Sequence, residues 1–188
     1  MARCDLCGFE GVFLDFKGRS GVKCPSCSSL ERQRALVDVI KCNVSQAEEP
    51  GESCLHVAPS CKTQFSNLLA KYGYGYTAID IAGRRGDQAS IEDLDYEDDK
   101  FSLILCLHVL EHVDDDRKAL KELARVLDCE GLLILQVPVG GVEGRDGHKR
   151  IYSKDGLEEL IGEHFVWAIT QRDKEVFYLC SKIVSNGP

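Results

Sequence analysis

No apolar run among the 188 residues is long enough to cross a bilayer. The longest, near Phe101–Leu107, falls far short of the roughly 20 residues a spanning helix needs. No basic stretch followed by an apolar segment opens the sequence, so no secretion signal is expected and a cytoplasmic location is. Positive charge is also in deficit. Twenty-three Lys and Arg against 31 Asp and Glu leave a net charge of −8, which argues against a molecule-wide nucleic-acid footprint, because phosphate binding is driven by clustered basic residues. Arg19, Lys23, Arg32 and Arg34 do gather near the N-terminus, as a solvated face or as a small basic patch. A GxGxxG loop is missing as well, which disfavours a nicotinamide-type dinucleotide site. What remains is an ordinary globular composition, 44% hydrophobic and 29% charged, sufficient for one well-buried core.

Cysteine is the residue in excess, with ten. Cys4-Asp-Leu-Cys7 and Cys24-Pro-Ser-Cys27 are two CxxC knuckles separated by sixteen residues, the spacing that tetrahedral thiolate ligation of zinc requires. Gly8 and Gly18 suit the turns, and Val12-Phe13-Leu14 with Phe16 suit a short strand. Four protein ligands leave no open position, so the Zn2+ is expected to be structural and to fold a segment too small to fold alone. The alternative is two unrelated CxxC pairs, one of them redox-active; neither sits clearly at a helix start after a strand, where such pairs belong. Cys42, Cys54, Cys61, Cys106, Cys129 and Cys180 show no ligand rhythm, and four of them lie in apolar or strand-like context. Ser28 and Glu31 have capping-box spacing and predict a helix carrying Leu30, Leu36, Val39 and Ile40. Asn43 to Glu52, with Pro50-Gly51, reads as a linker. The expected division is a zinc ribbon at 1–28, a helix and linker at 29–52 and a main domain at 53–184.

From residue 53 short apolar runs alternate with helix-period segments. Strands are expected at Cys54–Ala58, Tyr76–Ile81, Phe101–Leu107 and Leu132–Val137, with a closing pair at Phe165–Ile169 and Val176–Cys180. Helices are marked by Phe65, Leu68 and Leu69, by Leu120, Leu123, Ala124 and Leu127, and by Leu157, Leu160 and Ile161. The second of these follows Asp114-Asp115-Asp116, acidic residues that oppose the positive helix end, and is expected to end at Cys129-Glu130-Gly131. This order predicts an α/β fold, a mostly parallel Rossmann-like sheet with an antiparallel last strand and helices on both faces. Ligands of such sheets bind outside the carboxyl ends of the strands, which here are Ala58–Ser60, Asp80–Ile81, Leu107–His108 and Val137–Pro138. A carboxylate at Asp80 can accept two hydrogen bonds from a ribose diol; it could equally cap a turn.

Two stretches carry a family resemblance. Phe101-Ser-Leu-Ile-Leu-Cys-Leu-His-Val-Leu-Glu-His-Val-Asp-Asp-Asp116, then Ala119-Leu-Lys-Glu-Leu-Ala-Arg-Val-Leu127, resembles the fourth strand and following helix of class I S-adenosylmethionine-dependent methyltransferases, and within them the type 11 group. Cys24-Pro-Ser-Cys-Ser-Ser-Leu-Glu-Arg-Gln-Arg34 resembles the zinc segment that some bacterial proteins join to this domain. The resemblance implies a cofactor, S-adenosyl-L-methionine, with Asp80 at its ribose, His56, Ala58, Pro59 and Ser60 under its methionine part, Ser90 and Ile91 near its adenine, and Leu107 and His108 beside the sulfonium and substrate. It also implies a methyl acceptor, expected to be a small molecule or biosynthetic intermediate. Where a proton must leave the acceptor, His108, His148 and Tyr152 are the catalytic candidates, His108 first; His112 is either a fourth or a hydrogen-bonded structural histidine. Arg150 serves an anionic acceptor or an ion pair. The sequence departs from the family in four places: His56-Val-Ala-Pro-Ser60 replaces the glycine-rich loop, Ser90 an acidic residue, Phe101-Ser102 the FD pair, and Cys129-Glu130-Gly131 a PGG turn. Val139 to Lys149 is a short glycine-bearing stretch where a longer substrate cover often stands. Two other functions compete. One is a catalytically weak or inactive methyltransferase-fold protein that binds a protein partner through its zinc ribbon. The other is an RNA-modifying methyltransferase, weakened by the charge of −8.

Overall fold

The computed structural model describes residues 1–47, 52–140, 147–172 and 175–183. Strands β5 (Ser53–Val57), β6 (Gly75–Asp80), β7 (Asp87–Gln88), β8 (Phe101–Leu107), β9 (Leu127–Gln136), β10 (Phe165–Arg172) and β11 (Glu175–Lys182) form one sheet in the order β10-β11-β9-β8-β5-β6-β7. Pairings from β7 to β9 are parallel, and β11 runs antiparallel to both β9 and β10. The sheet and its antiparallel end therefore match the expectation drawn from alternation. The order reverses between β5 and β8, which makes the crevice beyond their carboxyl ends the topological switch point.

Alternation along β8 explains why the sheet is buried on both sides. Leu103 and Leu105 pack with Leu36 and Ile40 of helix α1 (Glu31–Asn43) and Phe65 and Leu69 of α2 (Lys62–Ala70). Ile104 and Cys106 face the other way, onto Leu120 and Leu123 of α3 (Asp116–Val126) and Leu157 and Ile161 of α4 (Lys154–Gly162). Successive strand residues point to opposite faces, so a strand apolar at nearly every position must be covered twice. Asp115 caps α3 by accepting from the Lys118 amide at 3.0 Å, and Ser153 caps α4 from the Gly156 amide at 3.1 Å.

Two helix boundaries differ from the sequence reading. Helix α1 starts at Glu31, and the Gln33 side chain accepts from the Leu30 amide at 2.9 Å; Ser28 is instead left-handed (φ 61°) within the second knuckle. Helix α3 ends at Val126, and β9 already begins at Leu127. Gly131 permits this path, since a Cβ there would stand 2.8 Å from the Leu127 side chain and 3.0 Å from the Asp128 carbonyl. Pro50-Gly51 of the expected linker, residues 141–146 of the expected cover and residue 184 lie outside the described residues.

The N-terminal segment makes two small hairpins, β1 (Ala2–Arg3) with β2 (Glu10–Gly11), and β3 (Leu14–Phe16) with β4 (Arg19–Lys23). Lys17 and Gly18, at φ 48° and 76°, form the two-residue turn whose twist suits a hairpin. Arg34 of α1 fastens this segment to the body. Its guanidinium donates to the carbonyls of Ser29 and Val22 at 2.9 and 3.1 Å and stacks 4.6 Å from the Phe13 ring centre. A second tie reaches the sheet, where the Cys61 thiol after β5 donates to the Cys27 carbonyl at 3.6 Å. Arg34→Ala leaves two carbonyls without their donor and is expected to cost about 1–3 kcal/mol locally. Hydrogen exchange should speed up at residues 22–29 while β8 and β9 stay protected; uniform change across the sheet would refute the local role.

Candidate active site

Four strand ends converge at one edge: Val57 of β5 lies opposite Ile79 of β6 and Cys106 of β8, and Leu107 lies opposite Gln136 of β9. Beyond them opens a cleft of about 820 Å³. His56, Val57, Ala58 and Ser60 form its floor, Leu107, His108, Glu111, His112 and His148 one wall, and Phe16, Lys17, Arg19, Arg32 and Gln33 the other. The N-terminal hairpin therefore contributes to the same cavity as the sheet. A second cavity of about 530 Å³ shares His108 and continues over Gln136, Val137 and Tyr178.

The residues expected at the site do not all reach the cleft. His56, Ala58, Ser60, Leu107, His108 and His148 line it, whereas Pro59, Asp80, Ile81, Ser90, Ile91 and Tyr152 do not. Asp80 ends β6, half-buried, with Oδ1 accepting from the Ala82 amide at 3.3 Å. Ile81 beside it is 69% exposed, a large apolar side chain facing solvent. Ser90 caps its own turn through the Glu92 amide at 3.2 Å, and Ile91 is buried in the core. Tyr152 is buried and donates to Asp116 at 2.8 Å, and burial followed by that carboxylate pushes its phenol well above the ordinary value. The hydroxyl is thus engaged away from the cleft. Arg150 is equally committed, donating to the carbonyls of Leu110, Val113 and Asp114 at 2.9, 2.8 and 2.7 Å.

Two non-glycine residues are left-handed where the central strands open onto the cleft: Ala58 after β5 (φ 47°) and His108 after β8 (φ 55°). Such backbone is unfavourable for residues with a Cβ and clusters at functional sites. Ala58 supplies the conformation that glycine usually gives. Its amide donates to the Ile79 carbonyl at 2.7 Å, which holds the loop against β6. His108 is held similarly, its amide donating to the Gln136 carbonyl at 2.8 Å. Its Nδ1 faces Glu111 Oε1 at 3.4 Å, and its Nε2 is buried without a hydrogen-bond partner among the described residues.

Glu111 is the residue that sequence reading passed over. It is 1% exposed, and neither oxygen has a hydrogen-bond partner among the described residues. The available signal was an acidic residue inside the apolar stretch Leu107–Val113. The cationic residues around the cleft, Lys17, Arg19, Arg32 and Arg85, were also missed as a group, because they come from three separate segments.

In the N-terminal segment Cys4, Cys7, Cys24 and Cys27 bring their sulfurs within 4.8 Å of one another. Cys4 and Cys27 stand 3.7 Å apart, Cys7 and Cys24 3.6 Å. A tetrahedron of Zn–S bonds of about 2.3 Å has edges of about 3.8 Å, and a disulfide would need about 2.05 Å. The donor set fits zinc.

Residues 57–135 match the family described as "Methyltransferase domain". Among curated proteins the chain is similar to an uncharacterized methyltransferase, YcgJ, of Bacillus subtilis, 41% identical over 51 residues that cover 27% of this chain and 20% of that protein. The matched stretch thus spans about a fifth of that relative's length. Among solved structures it resembles the PH0226 protein of Pyrococcus horikoshii, with TM-score 0.61 and 15% identity over 84% of this chain and 94% of that one. It also resembles a Burkholderia thailandensis 1,6-didemethyltoxoflavin-N1-methyltransferase solved with bound 1,6-didemethyltoxoflavin and S-adenosylhomocysteine, with TM-score 0.58 and 16% identity over 81% and 78% of the two chains. At these identities the structural likeness establishes the Rossmann-like methyltransferase fold.

His56 under the cleft yields a pH prediction. It is 3% exposed, its Nδ1 lies 2.8 Å from the Tyr76 hydroxyl, and its ring meets Phe65 edge-on. Burial lowers its pKa from 6.5 to about 3. The unfolded chain therefore binds this proton near pH 6.5 and the folded chain only near pH 3. Its contribution to stability is complete above pH 6.5 and declines as pH falls toward 3, by up to about 1.4 kcal/mol per pH unit. Urea unfolding at about pH 7 and about pH 5.5 should show this decline in the wild type and a flatter profile in His56→Gln. Equal slopes would remove His56 as the cause.

Proposed function

We propose that this chain is an S-adenosylmethionine-dependent methyltransferase acting on a small anionic acceptor. The observation that carries the reading is the coincidence of the matched methyltransferase region, residues 57–135, with the strand ends that open onto the switch-point cleft. In this reading residues 1–28 fold around a structural zinc, 29–52 connect, and 53–184 hold cofactor and acceptor. The bound cofactor supplies a methyl group already attached to an excellent leaving group, so the protein's work is alignment and exclusion of water. Asp80 offers its second oxygen to a ribose diol, and exposed Ile81 offers an apolar surface to the adenine. Ala58 and Ser60 give backbone and hydroxyl contacts to the methionine part.

On the acceptor side, Arg32 and Arg85 with Lys17 and Arg19 border the cleft and favour an anion there. Arg19 also holds Glu31 at 3.1 Å. His108 lines both cavities and has Nδ1 3.4 Å from Glu111, which makes it the base candidate where an acceptor nitrogen or oxygen must lose a proton. This chemistry extends the expectation of a small molecule to an anionic one.

Calorimetry with S-adenosylhomocysteine is the direct test. Wild-type protein should bind it, and Asp80→Ala should weaken binding by about tenfold to a hundredfold, the worth of a charge-assisted pair of hydrogen bonds. No binding by folded protein would overturn the cofactor assignment. Binding without methylation of any anionic acceptor would favour the partner-binding alternative. For the ribbon, about one zinc per chain that resists a mild chelator is expected, lost in Cys24→Ser together with protection of residues 4–29. A folded Cys24→Ser chain retaining that zinc would refute four-thiolate ligation.

A further inference from the structure

We propose a second metal site, formed by Glu111, His112 and His148, that takes a divalent first-row transition ion at the wall of the cleft. One ligand atom from each of the three lies within 4.8 Å of the others. Two imidazoles and one carboxylate form a nitrogen–oxygen set that suits Zn2+, Fe2+, Mn2+ or Co2+ and leaves coordination positions open. Those positions face the cavity that the three side chains line.

The carboxylate itself gives independent support. A carboxyl group buried to 1% with no hydrogen-bond partner among the described residues is costly unless a donor or cation satisfies it. His108 Nδ1 at 3.4 Å serves only Oε1. His112 Nδ1 sits 3.1 Å from the Gly147 carbonyl, which accepts its hydrogen. Its other nitrogen, Nε2, lies 4.0 Å from Glu111 Oε1, too far for a hydrogen bond and within the span of two metal–ligand bonds of about 2.0–2.1 Å. A ligating histidine whose far nitrogen donates to a backbone carbonyl is the usual outer-shell arrangement at metal centres.

The frame that holds the three ligands is already built. Glu111 and His112 are neighbours in the single 3-10 turn Leu110–His112. The Lys149 amide donates to the Glu111 carbonyl at 2.8 Å, and this sets His148 beside His112, ring centres 5.0 Å apart. Arg150 clamps the same turn through the carbonyls of Leu110 and Val113. The Gly140 amide donates to the Tyr152 carbonyl at 2.9 Å, which ties Tyr152 to the chain that follows β9. An ion held here would bind an acceptor oxygen or nitrogen directly and add to the cationic border of the cleft.

Cobalt is the probe, titrated into full-length protein whose four-cysteine site is already filled with zinc. One further equivalent should bind, with ligand-field absorption and no thiolate-to-metal charge-transfer band, which separates it from the exposed thiols of Cys42 and Cys129. His148→Ala should weaken that binding by at least about tenfold, and His112→Ala with His148→Ala should abolish it. Imidazole NMR of the wild type during zinc titration provides a reading that needs no variant: His112 and His148 should shift while His56 and His164 stay fixed. Absence of a further equivalent, its persistence in the folded double variant, or unmoved His112 and His148 signals would overturn the site. These readouts are independent of S-adenosylhomocysteine binding, so this site and the proposed methyl transfer can fail separately.

Discussion

Four cysteine sulfurs within 4.8 Å of one another impose the constraint on which much else rests. Thiolates cannot gather so closely without a cation to neutralise them, and the residues between the knuckles supply little core beyond Phe13. In the zinc-bound reading proposed above, the metal chemistry of the knuckles sets the position of the first 30 residues, which Arg34 transmits to α1 and Cys61 to the loop after β5. That loop is the floor of the cleft. A zinc held by the four sulfurs would thus fix Lys17 and Arg19 at the mouth of a cavity whose other wall belongs to the sheet.

The sheet contributes the opposite kind of constraint. Residues 54–57 and 103–106 are buried on both faces, so β5 and β8 cannot shift to relieve strain where they end. The strain collects in Ala58 and His108, each left-handed and each pinned by an amide bond to the adjacent strand. The replacement of a glycine loop by His56-Val-Ala-Pro-Ser60 is accommodated in this way: Ala58 takes the glycine conformation, and Pro59 stiffens the segment after it. His56 stays neutral because it is buried.

The sheet was readable from its period. Phe101–Leu107 coincides with β8, and the caps at Asp115 and Ser153 follow from short polar side chains before helix-period segments. Four of the six scattered cysteines were expected in apolar or strand-like context, and Cys54, Cys61, Cys106 and Cys180 are buried. Ser28 misled because its capping-box pattern competes with a knuckle that needs a left-handed residue there, a tertiary demand that local propensity does not encode. The end of α3 moved because Gly131 allows β9 to begin early. Glu122 and Arg125 were legible only as part of a motif. Their role, in which Arg125 donates to the carbonyls of Leu94 and Tyr96 and Glu122 accepts from the Leu94 amide, requires knowing what passes over that helix. The cleft's outer wall was illegible for the same reason, since it unites residues 16–19, 32–33 and 85 through contacts distant in sequence.

Charge completes the argument. The chain carries −8 overall, yet four cations and four histidines surround the cavity at the switch point, and Glu111, the one lining carboxylate among the described residues, is buried beside the imidazoles of His108 and His112. Repulsion from an acidic surface would discourage an anion from settling elsewhere, while a concave cleft lined by cations focuses positive potential. A carboxylate placed there weakens that potential unless it serves as a ligand. Coordinated to a divalent ion with His112 and His148, Glu111 would turn from a local liability into the anchor of a net positive centre. In the proposed reading the basic rim and the buried acid would then serve one purpose, holding an anionic acceptor beside His108 at the end of the central strand.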